Sequence, residues 1–497
     1  MGRAAEQAAP SAPSTTTVAE WHVALAMTLL VMLTYSAVLV TPYAVTDDYV
    51  NYYYSKHGWW LAWWGVPGGR IMDAVAVGLS FKATRYLADL RWLRLLGVLG
   101  IALLQWLLYR GVRRAGWSVF WAASFAVLVG VTPAFQVCAA WATLWPVFYS
   151  AALTGVAFSL SGRALAAQRA RVRWSLVAAV QVLLFVAITI YQVTGMFFVV
   201  FLAIDLFARG EHLPARLLRR LLWFGAMLGG GLVLGYLAFK IGMKLYPQYA
   251  DTARAKLETS WLTKARWFWR APLADAFQLF RLRPVKGLAL LVSAFIAGGM
   301  WLRLHGTWQR RALALLLAAA LLPLAYLPSL MAAGYWNAYR TQFAITPLVL
   351  LYGVCAVQGY LGLVRRAYAD RVVSHALAAA TLLACLVAAR NVTTLYVEPQ
   401  MAELRLLRGA LAGADLRTAK RIWIRGSSPA SALAWTRYDE WAQPSTAWRW
   451  ALVPVAYGVA KEQAQGRMRV PISISDGPIK AGPREVAIDM SGLGTLK

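Results

Sequence analysis

Stretches of about twenty apolar residues, separated by short arginine-bearing connections, recur along most of this sequence. That length is what a helix needs to cross the hydrocarbon of a bilayer, so the pattern leaves few alternatives to a chain threaded repeatedly through a membrane. Apolar runs are readable at 21–40, 92–109, 117–132, 139–160, 174–191, 193–208, 221–243, 286–302, 312–331, 343–364 and 374–391. They predict about eleven transmembrane helices. The stretch 71–88 is comparable in length, but Asp73, Lys82 and Arg85 predict a helix lying in the interface instead. With 60% hydrophobic and only 14% charged residues among 497, a soluble chain would have too little polar surface to face water. The expected fold is an all-α polytopic membrane protein.

A formal charge of +29 raises the question of nucleic acid. The arginines, however, cluster between apolar runs rather than along one face, which predicts a lipid bilayer and no nucleic acid as partner. Arg110/Arg113/Arg114, Arg163/Arg169/Arg171/Arg173, Arg209/Arg216/Arg219/Arg220, Arg303/Arg310/Arg311 and Arg365/Arg366/Arg371 occupy every second connection. The intervening loops near 133–138 and 191–194 carry no Lys or Arg, and that near 332–342 carries Arg340 alone. The positive-inside rule then predicts a cytoplasmic N-terminus and an outer C-terminus.

The expected organisation is a polar, disordered cytoplasmic tail at 1–20 and a transmembrane domain at 21–391 with outer loops 41–91 and 244–285. An outer C-terminal domain follows at 392–497. There a helical stretch at 397–412, a strand-like Arg421–Arg425 and alternating Val470, Ile472 and Ile474 predict a small mixed α/β unit. The first apolar run is too long for a signal-peptide core and reads as a retained span. Cys138, Cys355 and Cys385 sit in or beside apolar runs and read as small core residues.

Chemistry is concentrated where the first span ends. Asp47 and Asp48 open a loop that continues through Tyr49, Tyr52–Tyr54, Lys56, His57, Trp59, Trp60, Trp63 and Trp64 to Gly69-Arg70. A single acidic residue here would be read as a helix cap. A tandem pair suits a general base with a neighbour that orients a sugar or binds a divalent cation such as Mg or Mn. Which aspartate is the base stays open, as does metal dependence.

An Asp-Asp pair in the first outer loop of a many-span protein resembles the GT-C superfamily of membrane glycosyltransferases. The text Asp47-Asp48-Tyr49, then Gly69-Arg70, is similar to the bacterial and phage O-antigen glucosyltransferases of that group. Tyr191-Gln192 and the Trp441–Pro454 stretch are also similar to such proteins. The resemblance implies a GT-C-like fold in a bacterial inner membrane with a periplasmic active site. It implies inverting transfer of a hexose, glucose by analogy, from a polyprenyl-phosphate donor to a hydroxyl of an envelope glycan such as lipopolysaccharide O-antigen. A flippase supplying the donor would be a further partner. Within the same fold a pentose or aminosugar donor stays open.

A phosphate leaving group calls for fixed cations. Arg340, flanked by Trp336 and Asn337, is either a snorkelling interfacial arginine or a phosphate clamp. Arg70, after Gly68-Gly69, either binds phosphate or braces the aspartates. Lys240 and Lys244 stand at a span end; Lys244 is a further phosphate candidate, whereas Lys240 reads as snorkelling. Tyr49, Lys56, His57, Tyr191, Gln192, Trp336 and Asn337 are expected to line the substrate.

The Trp59–Trp64 set reads mainly as an interfacial face. The basic segment 244–285 attracts headgroups or an anionic glycan. Asp439-Glu440 reads as structural or acceptor-facing. The rival class is a transporter or flippase of lipid-linked sugars, which would place ionisable groups at mid-membrane. Asp205 and Lys240 are the main candidates, and both fall near span ends.

Overall fold

A computed structural model describes residues 20–58, 65–209, 216–247, 256–363, 366–428, 441, 443–465 and 470–495. The Trp59–Trp64 patch, most of the 1–20 tail and Asp439-Glu440 lie outside the described residues. Six helices are long and apolar enough to cross a membrane: Leu87–Arg114, Ala142–Ala166, Ala170–Ile190, Leu217–Leu245, Trp308–Ala325 and Val372–Leu411. A seventh crossing arises if Val119–Gly130 and Pro133–Ala140, bent by 57° at their junction, count as one span. Shorter apolar helices cover Glu20–Thr34, Gln192–Ala208, Leu288–Arg303 and Ile345–Leu361.

Two local departures from the sequence reading, at residues 133–138 and at the end of the last span, matter for the site. Residues 133–138 are not a loop but a buried helix, Pro133–Ala140. Pro133 has no N–H to continue the preceding helix and its fixed φ suits a first helical position, so the chain turns and restarts there. Ile71–Ala83 is a separate helix of 13 residues, outside the membrane-crossing set. The last span does not end at 391: helix continues through wide turns at Thr393–Val397 into Glu398–Leu411.

The C-terminal segment has the expected mixed composition. Strands β1 (Arg421–Arg425), β2 (Ile472–Ile474) and β3 (Glu485–Asp489) form a parallel sheet ordered β2-β1-β3. Parallel neighbours need a crossover, supplied between β1 and β2 by the helix Leu452–Gln463. Ile422 and Ile424 on the central strand are fully buried. Their core is not private to this segment. It includes Tyr49, Val50, Tyr52, Val77, Phe81, Leu87 and Leu90 from the first loop. The loop that begins at Asp47 is therefore clamped between the membrane helices and the C-terminal sheet.

Basic connections and the aspartate end lie apart. Gln192 and Arg209 flank opposite ends of the Gln192–Ala208 run. At the basic end, Asp205 is neutralised by Arg209 at 3.1 Å and by Arg220. Asp205 is thus a local charge partner of the basic connections rather than a mid-membrane ion site.

Candidate active site

The tandem aspartates begin the helix Thr46–Lys56 and point to different surroundings. Helical geometry turns successive residues by about 100°, so adjacent side chains cannot share a face. Asp48 is fully buried. Its Oδ2 accepts from the backbone N–H of Val45 at 3.1 Å and of Ala142 at 3.3 Å. Its Oδ1 accepts from the N–H and the hydroxyl of Thr143, both at 2.8 Å. Burial raises its carboxyl pKa, while Arg94 and these donors pull the other way.

Four inward donors leave Asp48 no lone pair directed at an acceptor hydroxyl or an ion. The pairing of Asp47 and Asp48 as one catalytic or metal-binding unit is therefore corrected: Asp48 caps its helix and fastens it to the 142–144 turn. Among the described residues no group of three His, Cys, Asp or Glu side chains gathers as a metal-ligand set.

Arg94 completes that anchor. It is fully buried in the helix Leu90–Arg114, donating to the carbonyls of Val38 (2.7 Å), Thr41 and Tyr43 (both 3.0 Å). Its guanidinium lies 4.0 Å from the Tyr43 ring centroid. The turn leading into Thr46–Lys56 is thus wrapped around one arginine, a role that apolar periodicity alone did not disclose.

Asp47 keeps a 36% exposed side chain, and its Oδ2 lies 4.0 Å from Nη1 of Arg340. Arg340 is only 15% exposed and sits in the short turn Tyr339–Gln342, its guanidinium 5.0 Å from the Trp141 ring centroid. Arg340 is therefore not a headgroup-facing snorkeller; it is stacked and paired inside the protein.

Arg70 is held nearby by a second set. Its guanidinium lies 4.4 Å from the Tyr191 ring, and its Nε donates to Gln192 Oε1 at 3.4 Å. Gln192 Nε2 in turn donates to the Gly68 carbonyl at 2.9 Å. Tyr191 is extended, breaking Ala170–Ile190 from the next short helix and turning both side chains toward Arg70. Gly69 has φ +69°, and a Cβ there would lie 2.8 Å from Phe239. The absence of a Cβ at Gly69 thus permits close packing on the Leu217–Leu245 helix.

Asp73 joins this group although its sequence context marked it only as an interfacial charge. It lies in the first turn of Ile71–Ala83, half-buried. Desolvation pushes its carboxyl up to about 7; Arg70 opposes the shift and Asp47 adds to it. The available signal was its position three residues after Arg70.

Other sequence candidates fall elsewhere. Tyr49 is buried in the core shared with the C-terminal segment. Lys56 donates to the carbonyls of Phe81, Lys82 and Thr84, closing the end of Ile71–Ala83. Desolvation first, then Lys461, lowers its pKa to about 8. His57 is exposed, with Nδ1 2.7 Å from the Tyr53 carbonyl. None of these three lines the Asp47–Arg340 pair.

Lys244 is exposed near the end of its helix, with no hydrogen bond or ion pair among the described residues. Trp336 is 37% exposed. Asn337 donates to Asp275 at 2.7 Å and accepts from Gln342 at 3.0 Å, bracing the loop that carries Arg340. Lys264, nearly fully buried, donates to the Ala332 and Gly334 carbonyls at 2.7 Å each. Part of the basic 244–285 segment therefore supports this loop instead of offering its charge to a glycan.

Trp441 packs on Tyr339 and Tyr396, with ring centroids at 5.8 and 4.8 Å. Glu403 accepts from the backbone N–H groups of Ser445 and Thr446, fastening the segment after Trp441. A cleft of about 490 Å³ lies elsewhere, lined by Trp117, Arg209, Arg303, Gln358 and Ser374 at the basic end. There Arg303 donates to the carbonyls of Phe207 and Ala208 and so reads as structural. No protein-family model matches the sequence, and no curated protein is significantly similar to it.

Proposed function

We propose that this chain is a GT-C-type membrane glycosyltransferase, a hexosyltransferase that moves one sugar from a polyprenyl phosphate to a hydroxyl of an envelope glycan. In this reading about eleven spans place the N-terminus in the cytoplasm and the aspartate site and C-terminal segment in the periplasm. The observation carrying it is the accessible Asp47 carboxylate held against the recessed Arg340.

Asp47 takes the proton of the acceptor hydroxyl as that oxygen attacks the anomeric carbon. The bond from carbon to phosphate oxygen breaks, its electron pair leaves with the phosphate, and Arg340 and Arg70 stabilise the growing charge. Attack opposite to the leaving group inverts the anomeric centre. Tyr191 and Gln192 act by holding Arg70.

The test uses full-length protein in nanodiscs with polyprenyl-phosphate [14C]glucose and an envelope glycan acceptor. Wild-type transfer that Asp47→Asn abolishes while the variant stays folded supports the assignment. Equal transfer by both removes Asp47 from the chemistry. Movement of the lipid-linked sugar between leaflets without transfer would replace the enzyme reading with a flippase.

A further inference from the structure

Trp141 is 6% exposed, and its indole nitrogen has no hydrogen-bond partner among the described residues. A buried N–H without an acceptor is costly, and indole donates but does not accept. An oxygen supplied from beyond the described residues would satisfy it. Its surroundings specify the kind of oxygen. Arg340 lies over the ring at 5.0 Å, and the same guanidinium reaches Asp47. An oxygen that accepts from the ring-edge N–H with a guanidinium close by is favoured when it is anionic.

The position is fixed from both sides. Trp141 is the single extended residue between the helix Pro133–Ala140 and the turn Ala142–Leu144. The carbonyl of Ala140 accepts from the Tyr43 hydroxyl at 2.7 Å. The N–H groups of Ala142 and Thr143 hold Asp48. The segment that anchors Asp48 on one side thus presents Trp141 beneath Arg340 on the other.

Resting on the function proposed above, we infer that the Trp141 N–H is a ligand-binding donor of the same site, engaging a phosphate oxygen of the lipid-linked donor alongside Arg340. Trp141 is in this view a recognition residue for a phosphomonoester or phosphodiester headgroup, and takes no proton in the reaction.

The experiment measures binding of polyprenyl monophosphate to full-length protein in nanodiscs, with phosphatidylglycerol and inorganic phosphate as parallel arms. Trp141→Phe keeps an aromatic ring for Arg340 but loses the N–H together with the pyrrole half of the indole, so its melting temperature is compared with wild type and the indole signal carries the assignment. The variant is expected to weaken polyprenyl monophosphate binding about tenfold or more. In protein carrying 15N-tryptophan, the Trp141 indole signal, assigned by its loss in Trp141→Phe or Trp141→Tyr, should shift with polyprenyl monophosphate and not with uncharged polyprenol. Equal shifts with inorganic phosphate or phosphatidylglycerol would assign the donor to phosphate generally and overturn recognition of the lipid-linked donor. Wild-type binding matched by Trp141→Phe, with an unmoved indole signal, overturns the inference while leaving the transferase reading intact. No binding by wild type removes both.

Discussion

The Asp47 carboxylate and the Arg340 guanidinium, from segments almost three hundred residues apart, meet at 4.0 Å, the carboxylate partly exposed and the guanidinium recessed behind it. At that separation the pair is an electrostatic contact, longer than a charge-assisted hydrogen bond, and a substrate oxygen alongside the pair can contact both groups. If Asp47 is the base, Asp47→Asn should lower kcat by roughly a hundredfold to ten-thousandfold with donor binding retained. Arg340→Lys keeps the charge but loses the planar fork, and should raise the donor Kd more than it lowers expression or melting temperature. Transfer kinetics and donor binding on the same preparations separate the two roles.

Asp48 predicts a different failure. Asp48→Asn would set an amide NH2 against at least one of the donors from Val45, Ala142 and Thr143. The expected result is a loss of about 1–3 kcal/mol of stability, with activity following folded protein rather than chemistry. Thermal melting in detergent checks this. An Asp48→Asn protein as stable as wild type but inactive would return Asp48 to the catalytic set.

Arg94→Met tests the other half of the anchor. Three carbonyls, from Val38, Thr41 and Tyr43, would lose their buried donor, and Asp48 would lose its nearest compensating charge. Each buried carbonyl left without its donor costs about 1–3 kcal/mol. Proteolysis in the 41–46 turn should become faster than elsewhere in the chain. Unchanged cleavage there would show that the turn does not depend on Arg94.

How much of this could be read beforehand follows from which forces leave a mark in sequence. Bilayer-length apolar runs do, which is why helices such as Leu87–Arg114 and Leu217–Leu245 fall where hydropathy places them. Alternating Ile422 and Ile424 mark a buried strand for the same reason. The division of labour between Asp47 and Asp48 was legible only in principle. A helix starting at Thr46 makes Asp48 its third residue, where a carboxylate reaches back to its own N-terminus. The partners that matter most are distant: Arg340 for Asp47, Thr143 for Asp48, Tyr191 and Gln192 for Arg70. No local periodicity encodes which loops meet, so Tyr49 and Lys56 looked as eligible as Arg340 although they pack away from it.

Asp73 gives the pH test. Its carboxyl is pushed from an ordinary 3.8 up to about 7, first by desolvation and then by Asp47, against the pull of Arg70. Between those values the folded chain holds a proton that the unfolded chain has released. Stability therefore falls as pH rises through that window and levels off above it. Asp73→Asn cannot ionise, so the slope should disappear in the variant. Its melting temperature relative to wild type should be more favourable at pH 8 than at pH 5, because only at the higher pH does wild type carry the full cost of a desolvated charge. A difference that stays constant between the two pH values would mean that Asp73 ionises as an ordinary surface carboxylate, and would detach it from the group formed by Arg70 and Asp47.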